Sequence, residues 1–118
     1  MQDEIGRRVE LALLTAFYGP LLTQKQREVL SLHCEEDMSL GEIAQTAGVS
    51  RQAVHEMIVR ASEKMNAMEE KLHMASRFRE VEQGLLRCRA ALRSGQLKEA
   101  EIMLDDLIRQ EQEESNGL

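Results

Sequence analysis

Apolar residues recur along the chain at the three- and four-residue spacing that places them on one face of an α-helix. The first stretch predicts a helix over residues 5–18, based on four apolar residues at four-residue spacing: Ile5, Val9, Leu13 and Phe17. Pro20 follows directly, and proline ends a helix because it lacks an N–H and clashes with the preceding turn. The N-terminal quarter of the chain is therefore predicted to begin with one amphipathic helix.

Two capping boxes predict the next two helices. In this motif the N-cap hydroxyl accepts from a backbone N–H three residues later, and the side chain at that later position accepts from the N-cap N–H. Thr23 and Gln26 fit the motif and predict a helix up to about residue 34. Ser39 and Glu42 fit it again and predict a short helix over residues 40–47.

Serine caps the fourth helix and a glycine turn separates it from the fifth. The Ser50 side chain can accept from N–H groups two and three residues later, and no turn sequence follows until Ser94–Gly95. A last helix is predicted from Leu97 to about Gln112. The chain is thus predicted to be a single all-α domain over residues 1–118, with a core over 22–65 and a helical extension over 66–114.

Composition supports this fold class and excludes several functions. Among 118 residues there are three aromatic side chains and one proline, which disfavours strands and permits long helices. No apolar run approaches the ~20 residues that span a bilayer. The formal net charge is −6, and no residue set with catalytic or metal-ligand spacing occurs. We therefore predict a cytoplasmic protein without enzymatic activity, cofactor, metal, membrane contact or small-molecule substrate.

Residues 39–60 have the spacing of a helix-turn-helix, in which two helices cross steeply over a turn of three or four residues. Ala44 is small enough for the helix crossing, and Gly48, four residues later, tolerates the positive φ of a tight turn. Five apolar residues fall where side chains must point inward: Ile43, Ala47, Val49, Val54 and Met57. The agreement of seven positions in 22 residues predicts the complete structural unit.

The outward face of the second helix is the candidate site for nucleic acid. Arg51 can contact guanine and Gln52 can contact adenine, the usual pairings in a major groove. Ser50 and the helix N-terminus can hold a phosphate. The predicted nucleic-acid-binding residues are Ser50, Arg51, Gln52, His55, Glu56, Val59 and Arg60.

The charge around this motif argues against tight, independent DNA binding. Residues 22–65 carry five cations and seven acids, whereas DNA-binding proteins gain much of their affinity by neutralising phosphates. A second charge pattern lies further along, since residues 71–93 have a net charge of +4 and residues 99–114 of −6. The favoured interpretation is an antiparallel helix pair with opposed charges; the alternative is an arginine-rich surface, including Arg77 and Arg79, that contacts RNA.

Residues 21–74 resemble the YlxM-like family of small bacterial proteins, which is similar to region 4 of sigma factors. The matching segments are Phe17–Tyr18, Leu22–Gln26, Ser39–Leu40, Glu42–Ala44, Gly48–Val54 and Glu70–His73. The resemblance implies a helix-turn-helix of the sigma region 4 and winged-helix-like DNA-binding superfamily. It also implies a regulatory role in the signal recognition particle pathway, which rests on gene neighbourhood.

Three functions follow as alternatives. The first is a regulatory protein that contacts nucleic acid or a nucleoprotein, with DNA, signal recognition particle RNA or the particle itself as partner. The second is a sigma region 4-like DNA-binding transcription regulator. The third is a protein–protein adaptor that keeps the motif as a scaffold.

Coiled-coil spacing predicts a homodimer. Apolar residues at 58, 61, 65, 68 and 72 alternate three- and four-residue steps, as in a coiled-coil seam, and a second series occupies 78, 81, 85, 88 and 92. The step from 72 to 78 breaks the phase, which predicts a bend or break of the long helix near residues 75–79.

Overall fold

The computed structural model describes the backbone of residues 2–116 and the side chains of residues 4–115. Within this range the protein has six α-helices, one 3₁₀ turn over Gly19–Leu21 and no strand. The all-α prediction is confirmed. The helices are α1 (Gln2–Tyr18), α2 (Gln24–Cys34), α3 (Leu40–Ala47), α4 (Arg51–Leu72), α5 (Met74–Arg93) and α6 (Leu97–Asn116).

Both capping boxes are formed as predicted. The Gln26 N–H donates to Thr23 Oγ1 at 3.1 Å, and the Thr23 N–H donates to Gln26 Oε1 at 3.0 Å. At the start of α3 the reciprocal distances between Ser39 and Glu42 are 3.2 and 3.0 Å. Each box satisfies two N–H groups that a helix start otherwise leaves without a partner.

The chain divides into two compact units, the first ending at Ala75 and the second beginning at Ser76. The helical extension was predicted to begin at residue 66, but α4 and the first residues of α5 belong to the first unit. One apolar cluster of that unit contains Leu14, Tyr18, Leu30 and Met65. A second cluster contains Val29, Ile43, Ala44, Ala47 and Val54.

The first predicted coiled-coil seam is used inside the first unit. Ala61 and Met65 are fully buried against α1 and α2 residues, and Ile58 and Met68 pack against the same cluster. These side chains are therefore not available as a dimer seam. The apolar spacing does identify a packing face, but α1 and α2 of the same chain cover it, where the sequence predicts a second copy.

The long helix is interrupted at His73, two residues before the predicted region of 75–79. His73 has φ 55° and ψ 27°, a left-handed conformation that is uncommon for residues other than glycine. Glu69 Oε1 accepts from the Tyr18 hydroxyl at 2.6 Å and from the Ala75 N–H at 2.9 Å. The Met74 N–H donates to Tyr18 Oη at 3.3 Å. The interruption is thus fixed by tertiary hydrogen bonds to α1.

The second unit is a hairpin of α5 and α6. Gly95 has φ 77°, and the Gln96 N–H donates to the Ala91 carbonyl at 2.8 Å across the turn. Gly84 allows close approach of the helices, since a Cβ there would lie 2.5 Å from Leu107 Cδ2. The last helix continues to Asn116 instead of ending near Gln112.

Candidate nucleic-acid interface

The turn of the motif has the predicted geometry. Gly48 ends α3 with φ 72° and ψ 32°, and its N–H donates to the Ala44 carbonyl at 2.9 Å. Ser50 is extended, and its Oγ accepts from the Ala53 N–H at 3.0 Å. Only residues 48–50 separate the two helices, as in a helix-turn-helix.

Buried side chains hold the two helices of the motif together. Ile43 of α3 and Val54 of α4 are completely buried beside Val29 of α2. Ala44 and Ala47 complete this cluster, and small residues at these positions permit close approach of the helices. Val49 and Met57 pack against its edge. All five side chains predicted to point inward therefore do so.

The seven residues predicted to contact nucleic acid are all exposed at the surface. Arg51 and Gln52 occupy the first two positions of α4, beside the Ser50 cap. Within the described part of the chain, neither side chain forms a hydrogen bond or an ion pair. Glu56 and Arg60 lie four residues apart, further around the same helix.

His55 and Val59 face an open groove between α1 and α4. The groove has a volume of about 1,220 Å³, and its walls include Arg7 and Glu10 of α1 and Glu63 of α4. Val59 is 38% exposed there. Sequence reasoning missed this groove because it did not place α1 beside the second helix of the motif.

Two cations near the motif are bound to backbone carbonyls. Lys25 Nζ donates to the Ala47 carbonyl at 2.8 Å, and Lys64 Nζ donates to the Leu21 carbonyl at 2.7 Å. The first contact places a positive charge at the C-terminal end of α3, where the helix dipole favours it. No sequence motif marked either lysine for this role.

Arg8 also forms an intramolecular contact. Its guanidinium forms an ion pair with Asp37, a residue with φ 54° in the loop before α3. Burial lowers the pKa of His33, and the positive charge of Arg8 lowers it further. His33 therefore remains largely neutral at pH 7 and adds little positive charge to the groove.

Charge pairing within the second unit supports the predicted helix pair with opposed charges. Arg77 of α5 donates to Glu111 of α6 at 3.2 Å and also forms an ion pair with Glu114. Because both carboxylates contact one half-buried guanidinium, Arg77 is not free to contact a phosphate. The favoured interpretation of the charge segregation is supported at this position.

Fold and turn together define a small all-α protein of the helix-turn-helix class. The chain belongs to the family of YlxM / p13-like helix-turn-helix proteins, UPF0122, which matches residues 5–112. The family resemblance seen in the sequence is thus confirmed. The match extends well beyond the motif and includes α5 and most of α6.

Curated relatives carry the same family name. A UPF0122 protein of Desulforamulus reducens is 42% identical over 77 residues, covering 65% of this chain and 66% of the relative. One of Acetivibrio thermocellus is 48% identical over 69 residues, or 58% and 59% of the two chains. One of Symbiobacterium thermophilum is 52% identical over 62 residues, or 52% and 58%. The matched part thus spans about three fifths to two thirds of these relatives.

None of the helices in the described part of the chain combines the length and apolar character needed to cross a membrane. No group of three or more His, Cys, Asp or Glu side chains in this part of the chain is placed to hold a metal ion.

Proposed function

We propose that this protein is a non-enzymatic regulatory protein that contacts nucleic acid through the N-terminal end of α4. The fold exposes the side chains of Arg51 and Gln52 at this end of the helix. Both side chains are exposed and without a partner among the described residues, at the start of the second helix of a well-formed helix-turn-helix. This is where proteins of the class contact base edges.

The chemistry of these residues fits nucleic acid. The planar guanidinium of Arg51 offers paired donors to guanine or phosphate, and the Gln52 amide can pair with adenine. The N–H groups of the first helical residues have no intrahelical acceptor and favour an anion. The Ser50 hydroxyl accepts from Ala53 and keeps its own proton to donate.

Few positively charged side chains near the motif are available for phosphates, which limits the electrostatic contribution to binding. Of the five cations in residues 22–65, Lys25 and Lys64 already donate to carbonyls. The three arginines that remain are Arg27, Arg51 and Arg60. If each contacts one phosphate, log K should fall with log salt at a slope of about −3 or shallower.

Weak electrostatics favours a ligand that adds contacts beyond a regular duplex, such as folded RNA or an RNA–protein complex. The family resemblance makes the signal recognition particle and its RNA the first ligands to test. This proposal places the protein in the cytoplasm. A sigma region 4-like DNA-binding regulator is the second candidate, favoured by the geometry of the turn.

A salt series of binding isotherms tests the proposal. Labelled signal recognition particle RNA, duplex DNA of random sequence and the assembled particle are titrated with the full chain. Saturable binding to the RNA or the particle, with a shallow salt slope, supports the proposal. Duplex binding with a sequence preference supports the DNA-binding regulator. Absence of binding to all three refutes both and leaves the protein–protein adaptor.

A further inference from the structure

The hairpin of α5 and α6 leaves a continuous apolar stripe exposed. On α5, Phe78, Leu85 and Leu92 recur every seven residues and are 45–49% exposed. On α6, Leu97, Leu104 and Ile108 are 38–68% exposed. A groove of about 610 Å³ runs between the helices and is lined by residues of both helices, including Leu85, Leu104 and Ile108 of the stripe.

The residues most completely buried in the hairpin are small. They are Gly84, Cys88 and Ala91 of α5 and Ala100 of α6. This packing holds the helices close together, but it buries little of the large apolar side chains that the hairpin carries. A two-helix unit of about 40 residues seldom buries enough apolar surface to be stable by itself.

We infer that this stripe is the interface of a homodimer in which two α5–α6 hairpins form a four-helix bundle. Each helix has 20 residues, which makes the stripe about 30 Å long. With helices 8–10 Å apart, two such faces bury on the order of 1,000 Å², near the lower limit of a specific interface. The interface lies entirely on the second unit, in contrast to the seam predicted through residues 58–72.

The opposite net charges of α5 and α6 favour one arrangement of the two hairpins in the dimer. Helix α5 carries five arginines and two glutamates, whereas α6 carries two cations and seven acids. With the two-fold axis parallel to the helices, α5 packs on the partner's α6 and opposite charges meet. With the axis across the helices, α5 packs on α5 and like charges meet, which disfavours that pairing.

The register of the hairpin identifies the charges that meet. Gly84 lies against Leu107, so five residues nearer the turn Arg89 is level with Ile102. Arg89 and Glu101 are both exposed, and each flanks the apolar stripe of its own helix. In the favoured arrangement Arg89 of one copy therefore lies beside Glu101 of the other, and the symmetry forms this pair twice.

Sedimentation velocity of the full chain at tens of micromolar tests the inference. We expect a particle of twice the 13.4 kDa chain mass. Leu85→Glu should give a monomer, whereas Leu86→Glu should remain a dimer. Leu86 is a matched control because it is 41% exposed on the same helix but lies outside the groove. A monomeric wild type, or equal behaviour of the two variants, would overturn the inference.

A charge exchange tests the arrangement without disturbing the apolar stripe. Arg89→Glu should weaken dimerisation by about tenfold or more, because two like-charge contacts replace two attractive ones. Glu101→Arg should do the same, and the double variant should return to within about threefold of the wild-type Kd. Circular dichroism verifies that each variant is folded. Failure of the double variant to recover would refute the proposed pairing.

Discussion

Replacement of Tyr18 by phenylalanine tests the contact that fixes the end of α4. The Tyr18 ring is 1% exposed, and its hydroxyl donates to the Glu69 carboxylate at 2.6 Å. A hydrogen bond to a charged group contributes about 1.5–3 kcal/mol, and Tyr18→Phe also leaves the Met74 N–H without its acceptor. We expect a loss of about 2–3 kcal/mol, which lowers Tm by roughly 8 °C or more.

The pH dependence of the same variant provides a second test. Burial raises the pKa of Tyr18 above its ordinary value near 10, and the hydrogen bond to Glu69 raises it further. The unfolded chain therefore loses the tyrosine proton before the folded chain does. The stability that neutral Tyr18 contributes is complete below about pH 10 and decreases at higher pH. The difference in the free energy of unfolding between wild type and Tyr18→Phe should therefore decrease above about pH 10.

Chemical denaturation followed by circular dichroism at pH 8 and above pH 10 measures both effects. Thr15→Val is the matched control, since it removes another half-buried α1 hydroxyl, one that donates to the Leu11 carbonyl. The Leu11 carbonyl lies within the same helix, and the hydroxyl's contact with Met65 Sδ at 3.8 Å is weak. We therefore expect Thr15→Val to lower the free energy of unfolding by less than about 1 kcal/mol. If Tyr18→Phe is no more destabilising than Thr15→Val, or its effect is independent of pH, the Tyr18–Glu69 hydrogen bond does not stabilise the end of α4.

Three further predictions concern the motif. Gly48→Val should lower the free energy of unfolding by more than about 1 kcal/mol, because a β-branched residue is strained at φ 72°. Gly48→Asn should lower it less, and equal melting temperatures of the two variants would contradict this. The hydrogen bond from the Ser39 N–H lowers the pKa of Glu42. Wild type should therefore lose more stability than Glu42→Gln as the pH falls from about 5 to 3. Melting temperatures that fall in parallel for the two proteins would contradict this. Lys25→Met removes the contact with the Ala47 carbonyl and should lower the free energy of unfolding by up to about 1 kcal/mol. An unchanged midpoint of denaturant unfolding would contradict this.

The helix-turn-helix could be predicted from sequence because its determinants are local. Ser39, Gly48 and Ser50 act on backbone groups within a few residues of themselves, through side-chain caps or a left-handed turn. Such contacts depend on residue type and spacing, which are visible in one sequence. The candidate side chains Arg51 and Gln52 followed from the same register.

Contacts between distant segments could not be predicted. The interruption at His73 depends on Tyr18, which lies 51 residues before Glu69 in the chain, and a left-handed histidine has no clear sequence signature. Lys25 likewise reaches a carbonyl 22 residues away. The apolar series over residues 58–72 predicts a dimer, because sequence spacing identifies an apolar face but not the segment that covers it.

The Arg51→Ala variant tests whether the start of α4 binds nucleic acid. Its affinity for signal recognition particle RNA and for duplex DNA is compared with that of wild type and of Arg87→Ala, an exposed arginine control on α5. The ligand that wild type binds should bind Arg51→Ala about 1–3 kcal/mol more weakly, roughly 5- to 150-fold, and Arg87→Ala almost unchanged. The melting temperature of Arg51→Ala should remain close to wild type, since the side chain is exposed. If Arg51→Ala binds with wild-type affinity while Arg87→Ala loses binding, the start of α4 is not the site, and binding belongs to the arginine-rich helix α5.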